Sequence, residues 1–467
     1  MKLTLLIGPT EKAAMRFRSL FKKEAKTLEK AGISAPDWNH VRLYTAAAEA
    51  DEISMLRYRR GLDNPLVQQT LNAEFQTLFE KELPDLKGDH LVLAAAQLGS
   101  LLHHPSELKR LHALLSIYFD DIQIVAHVEE QARLLVQHYI SAVIAGRRHS
   151  LHQELDLAGT KNWGRGALAL RGETDPFANL FDDIQCPPFW LDFKALLAFW
   201  EKAFGKGNVT LAPLDLPQLY GKDGLQVLAT ALGLKKSLGP VSPDRIFSAE
   251  PAASLSRMRQ MNDVLIRYSQ AQDIIIPPDL WTQIHKNIRI SGAEIAPGSL
   301  SAISDHFRKD NAALVKRFPD LKRALTPDDP AQPWEEAAPQ MGFRATQYLA
   351  AFTHAIRKQS TPVAEKRAEA QAAAQATEKF DLLLTEGTAD KKQKAANKRL
   401  LNRVKVNHQM VMSTQFKPHN NLGAVNEEDL AAAYTPIKPR TLPKGSSGNV
   451  IVGCMKNQAP YSVAWGA

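Results

Sequence analysis

The sequence predicts an α/β fold, a parallel sheet flanked by helices, and three observations predict it. Short apolar runs alternate along the chain with longer amphipathic stretches, the pattern of strands joined by crossover helices. Glycines stand where those stretches stop: Gly32, Gly146 and Gly233 each end an apolar periodicity at helical spacing. No period of tens of residues recurs, so a solenoid or propeller is excluded.

In chain order, Leu3 to Ile7 reads as a buried strand closed by Gly8 and Pro9. Glu11 to Ala31 carries Met15, Phe17, Leu20, Phe21 and Leu28 at helical spacing. His90 to Ala95 is a second strand, followed by a helix over Pro105 to Tyr118. Ile122 to Val128 is a third, followed by a helix over Glu130 to Ile144. Leu191 to Phe204 reads as helix, Asn208 to Leu214 as the fourth strand, and Gly224 to Leu232 as a short helix. From there to about Phe318 the pattern is helical.

The 467 residues exceed a typical single domain, which favours one large α/β core with appended segments. Residues 1–325 form that core. Pro327, Asp328, Asp329, Pro330 and Pro333 open a linker at 326–359 that holds one amphipathic helix, Thr346 to Arg357. Residues 360–448 are first rich in Ala, Glu, Lys, Gln and Arg and then in Asn, Pro, Gly and Ser, and read as a charged linker, helical or without fixed structure. At 449–467 a strand-like pattern returns.

Composition narrows the classes. No run approaches the ~18 apolar residues that span a bilayer, and Met1 to Ile7 is too short for a signal peptide, so a cytoplasmic protein without a membrane span is expected. Cys186 and Cys454 stand far apart and form no CxxC, which excludes a disulfide framework and a thiolate zinc site. The net charge is +8, from 58 Lys and Arg against 50 Asp and Glu. Seven basic residues and no acid lie between Lys391 and Lys405, a segment able to contact an anionic partner, yet without the interleaved aromatics of a nucleic-acid platform. His103, His104, His138 and His149 fall near helices with no HExxH spacing, so no metal is expected.

The loop after the first strand reads IGPTEKAAMRF. A strand that runs through a loop into a helix N-terminus is a natural anion site, because backbone N–H groups and the helix dipole converge there. This loop lacks the GxxxxGK[ST] spacing that wraps a phosphate, and Glu11 beside Lys12 offsets its charge. Read alone, it is a structural turn.

Further segments supply a resemblance. They are AAAQLGS at 94–100, HVEEQARLLVQHYISAVIAGR at 127–147, FWEKAFGKGNVTLAPLDLPQL at 199–219, ALGL at 231–234, SLSRMRQMN at 254–262 and RKDNAALVKRF at 308–318. With the first loop, they resemble in order and spacing the sulfotransferase-like family of bacterial surface-polysaccharide loci, whose first loop reads IGPHKTGTTSLQ. The resemblance covers residues 1–320. It implies a P-loop-type core, related to that of nucleoside triphosphate hydrolases, that binds 3′-phosphoadenosine 5′-phosphosulfate in this loop.

Carried over by position, Gly8 and Pro9 persist. Thr10 stands for the usual histidine, Glu11 for the lysine, Ala13 for glycine, and Ala14 and Met15 for threonines. The arginine and serine that hold the donor's 3′-phosphate become Glu129 and Gln137, while Gln131 and Tyr139 of the same helix still match. The SSE glutamate, the implied general base, falls on Gln97. The donor-binding positions are therefore Gly8, Pro9, Thr10, Glu11, Lys12, Glu129 and Gln137, and of these only Lys12 brings a cation to the loop.

These replacements bear directly on the chemistry. Sulfuryl transfer rests on positioned cations and donors that stabilise the leaving phosphate, as phosphoryl transfer does. At an effective dielectric near 20, a unit charge about 4 Å away contributes on the order of 4 kcal/mol, so two inversions are large enough to abolish donor binding. Gln97 cannot accept a proton at neutral pH. One reading is a degenerate sulfotransferase-like protein of surface-polysaccharide modification, without a cofactor, acting as a binding or scaffold module for polysaccharide or glycan-assembly proteins. The alternative is an active transferase with a rearranged donor site, in which Lys12 replaces the missing lysine and Arg16, Arg18 or Arg133 reach the phosphates.

The terminal segment GNVIVGCMKNQAPYSVAWGA at 448–467 resembles the first strand and helix start of family-2-type glycosyltransferases, with Asn457, Pro460 and Trp465 matching. No Asp-x-Asp segment follows it, so this fragment closes no nucleotide-sugar pocket. The resemblance implies a third reading, the front region of a glycosyltransferase.

Overall fold

The computed structural model describes residues 1–371 except 37, 39, 61–75, 77, 78, 173, 235, 246–249, 341 and 370. The basic segment at 391–405 and the glycosyltransferase-like segment lie outside the described residues.

Five strands form one parallel sheet: β1 (Lys2–Leu6), β2 (Ile33–Ser34), β3 (His90–Ala94), β4 (Asp121–Val128) and β5 (Val209–Pro213), in the order β2-β3-β1-β4-β5. The α/β parallel architecture expected from the sequence is the one observed, with β1 at the centre. Leu3 aligns with Leu91 on one side and Ile122 on the other. Side chains alternate across the sheet, and both faces are covered, which is why β1 and β3 read as largely apolar runs, interrupted in β1 by the buried Thr4. Leu3, Leu5 and Ile7 enter one core with Leu91, Leu93, Ile124 and Ala126; Leu6 enters the other with Val92, Ala94 and Val125.

Helices α1 (Glu11–Lys23) and α2 (Ala25–Lys30) cover the second face through Phe17, Leu20, Phe21 and Leu28. The single helix expected over Glu11 to Ala31 is thus two, because Glu24 leaves helical geometry at φ −112° and ψ 21°. The opposite face is covered by α3 (Val41–Ala47), α6 (Pro105–Leu115), α7 (Gln131–Ala145) and α8 (Phe193–Phe204), and two shorter helices, α4 (Met55–Arg59) and α5 (Ala96–Leu101), join these elements. After β5 come α9 (Leu216–Tyr220) and α10 (Gly224–Ala231), which return to the α1 side.

Within the stretch read as helical to about Phe318, the described residues form three α-helices, α11 (Ala252–Gln272), α12 (Pro278–Ile288) and α13 (Ser301–Arg317), and 236–245 is not helical. Asp273 breaks the first in left-handed geometry, and Pro277 and Pro278 start the second. Helix α14 (Ala345–Gln359) packs Tyr348, Leu349, Phe352 and Ile356 on this layer. Thr361–Pro362 then pairs antiparallel with Ile274–Ile275. Among the described residues, no helix is long and apolar enough to cross a membrane.

Candidate functional site

The strand order separates the chain at β1 and β4: β1 connects onward to β2, β4 to β5, so their carboxyl ends flank the crevice where open α/β sheets hold ligands. The loop after β1 turns at Gly8, whose φ of +77° favours glycine; a Cβ there would also lie 2.9 Å from Ala96 Cα. Pro9 follows in the turn. Thr10 is the N-cap of α1, and its hydroxyl oxygen accepts from Ala13 N–H at 3.2 Å.

Glu11 opens α1 and is held on both oxygens: Arg18 donates to Oε1 at 2.6 Å and Gln97 Nε2 to Oε2 at 2.7 Å. The residues that replace the implied lysine and general base are therefore hydrogen-bonded to each other across the ends of β1 and β3. Gln97 Oε1 is buried and finds no hydrogen-bond partner among the described residues. Buried Arg60 also senses Glu11, Arg18 and Arg42; burial draws its pKa down to about 10.

Across the crevice, Glu129 leaves β4 with its side chain only 8% exposed. Gln137, two turns along α7, donates to its Oε1 at 2.7 Å. Burial pushes the Glu129 carboxyl up to about 7 against the opposing pull of Gln137, Arg133 and Lys12. Lys12 is the counterpart: burial lowers its ammonium pKa and the Glu129 charge raises it. Tyr220 fixes the Lys12 backbone by donating to its carbonyl at 2.9 Å. Glu130 caps α7 by accepting from the N–H groups of Ala132 and Arg133, and also accepts from Ser304 at 2.7 Å.

The structure brings Glu11 to Gln97, and Glu129 to Gln137 with Lys12 nearby. It does not bring the three candidate arginines to an open phosphate cradle. Arg16 is fully buried and donates to Leu219 O, Ser242 O and Asp244. Arg18 is engaged by Glu11, and Arg133 by Ala324 O, Thr326 O and Asp328. Gln131 forms a buried reciprocal amide pair with Asn311, and Tyr139 lies in the core. Sequence reading missed Arg60 and Tyr220, because neither carries a motif and both reach the loop only through packing.

The four histidines separate. Burial pushes His138 down to about 3 and lowers His149. His103 and His104 instead meet Glu52, with the ligand atoms of all three within 4.8 Å of one another.

No family model matches this chain, and no curated protein does. A crystal structure of a sulfotransferase from Alicyclobacillus acidocaldarius is similar over 60% of this chain and 98% of that chain, at 14% identity and a TM-score of 0.29. At that level the likeness carries no information on activity or substrate.

Proposed function

We propose that this chain is a sulfotransferase-like protein of surface-polysaccharide modification with a degenerate donor site, serving as a binding or scaffold module for polysaccharide or glycan-assembly proteins. The observation that supports the reading is that acidic side chains stand at two positions where the resemblance implies anion-binding cations, and both are hydrogen-bonded within the protein. Glu11 is engaged by Gln97 and Arg18, and Glu129 by Gln137. A phosphosulfate entering there meets the Glu11 carboxylate and, above pH 7, a charged Glu129, while Arg16, Arg18 and Arg133 already donate to other groups. Calorimetric titration with 3′-phosphoadenosine 5′-phosphate tests it: no saturable heat is expected at millimolar ligand.

A second reading, sulfuryl transfer from a rearranged site, draws on one observation. Glu129, with a pKa of about 7, is matched to proton abstraction near neutral pH and lies beside Lys12. Micromolar binding that weakens on Lys12→Ala would overturn the degenerate reading in favour of this one.

A further inference from the structure

Glu52 lies on the connection between α3 and α4, and His103 and His104 on that between α5 and α6. Glu52 Oε1 is 2.6 Å from His104 Nε2, and Glu52 Oε2 is 3.5 Å from His103 Nε2. We propose that Glu52, His103 and His104 form a binding site for a divalent first-row transition ion of the zinc class, at the wall of a cavity that the donor crevice does not include. Two imidazoles and one carboxylate are the donor set of three-ligand zinc sites, which keep a further position open.

The surroundings orient these ligands. His103 Nδ1 lies 3.1 Å from the Leu101 carbonyl, which fixes the proton on that nitrogen and turns the Nε2 lone pair toward Glu52. Glu107, buried to 2% exposure, binds both segments at once. Its Oε2 accepts from His103 N–H at 2.7 Å and His104 N–H at 2.8 Å, and its Oε1 accepts from Glu49 N–H at 3.0 Å. Arg57 ties the Glu52 side from beneath, donating to the carbonyls of Glu49, Ala50 and Glu52. A clamp of backbone bonds on both ligand-bearing segments is what holds donors within coordination reach before an ion arrives.

The cluster already attracts a cation. Arg171 Nη1 lies 3.1 Å from His103 Nε2 and 3.4 Å from Glu52 Oε2, so the lone pairs of both converge on one positive charge. Arg171 and Glu52 line a cavity of about 450 Å³ that Tyr44, Ser54, Asp182 and Asp183 also border. An arriving ion displaces the guanidinium into this cavity, which Asp182 and Asp183 also line.

The test is a Co²⁺ titration of the full chain, followed by the visible absorption of the bound ion and by Zn²⁺ competition. The wild type should give one saturating, Zn²⁺-displaceable signal. His103→Ala with His104→Ala should abolish it, with circular dichroism confirming the fold, and Glu52→Gln should weaken it by at least about 10-fold. Arg171→Gln should tighten binding about 10-fold, since it removes the competing cation, an effect that a mere ion-pair network would not produce. A signal that survives the double histidine variant, or no saturable signal in either the wild type or Arg171→Gln, would sink the proposal.

Discussion

Gln137 Nε2 donates to Glu129 Oε1 at 2.7 Å, so the two positions where the resemblance implies an arginine and a serine around a phosphate are bonded to each other. The bond closes the end of β4 onto α7. Burial pushes the Glu129 carboxyl up to about 7 against the lowering pull of this bond.

Glu129 makes stability depend on pH. Its folded pKa of about 7 lies above the ordinary 4.5, so its contribution is fully present below pH 4.5 and is lost as pH rises through 7. Glu129→Gln removes the buried charge and keeps an oxygen for Gln137. The variant should be more stable than wild type at pH 8, by on the order of 1–3 kcal/mol, and equal to it near pH 4.5. Urea denaturation at both values checks this, and an unchanged difference between them would refute it.

Charge at position 11 should govern anion response. In Glu11→Lys the new ammonium faces Arg18 and Arg60, which now sense the carboxylate. We expect a loss of roughly 1–2 kcal/mol at low ionic strength that sulfate or phosphate restores. Adding Glu129→Arg and Gln137→Ser should give saturable binding of 3′-phosphoadenosine 5′-phosphate by calorimetry. Thermal melts of Glu11→Lys that ignore these anions would mean that the loop no longer cradles one.

Gly99 marks the close approach of α5 to β1. Its N–H donates to Ile7 O at 3.1 Å, and a Cβ would sit 2.3 Å from that oxygen. Gly99→Ala must push the helix off the strand end, and should lower stability by about 1–3 kcal/mol in chemical denaturation.

Arg147 and Glu154 form a fully buried pair with bonds of 2.7 and 2.8 Å. Removing one partner strands the other charge, so Glu154→Leu should cost about 3–5 kcal/mol. A loss below about 1 kcal/mol in equilibrium unfolding would contradict this.

The strands were legible because burial on both faces writes itself as short apolar runs, as in Leu3 to Ile7 and His90 to Ala95. The two-residue β2 was not, since Ile33–Ser34 is too short to show a period. The α1–α2 break was missed because Glu24 disturbs the backbone without disturbing the apolar spacing.

The sequence by itself determined the sheet strands on either side of the crevice, the turn at Gly8, and the charges at positions 11, 12 and 129, because these depend on local periodicity and residue type. Only the tertiary structure decided the partners of those charges. Gln97 reaches Glu11 over 86 positions, and Arg16 is drawn to Asp244 over 228. It alone brought Glu52 to His103 and His104, through the Glu107 carboxylate that joins two segments remote in sequence. Side-chain pairing over such separations is set by how helices dock on the sheet, and a single chain of residue types carries no local signal of that docking.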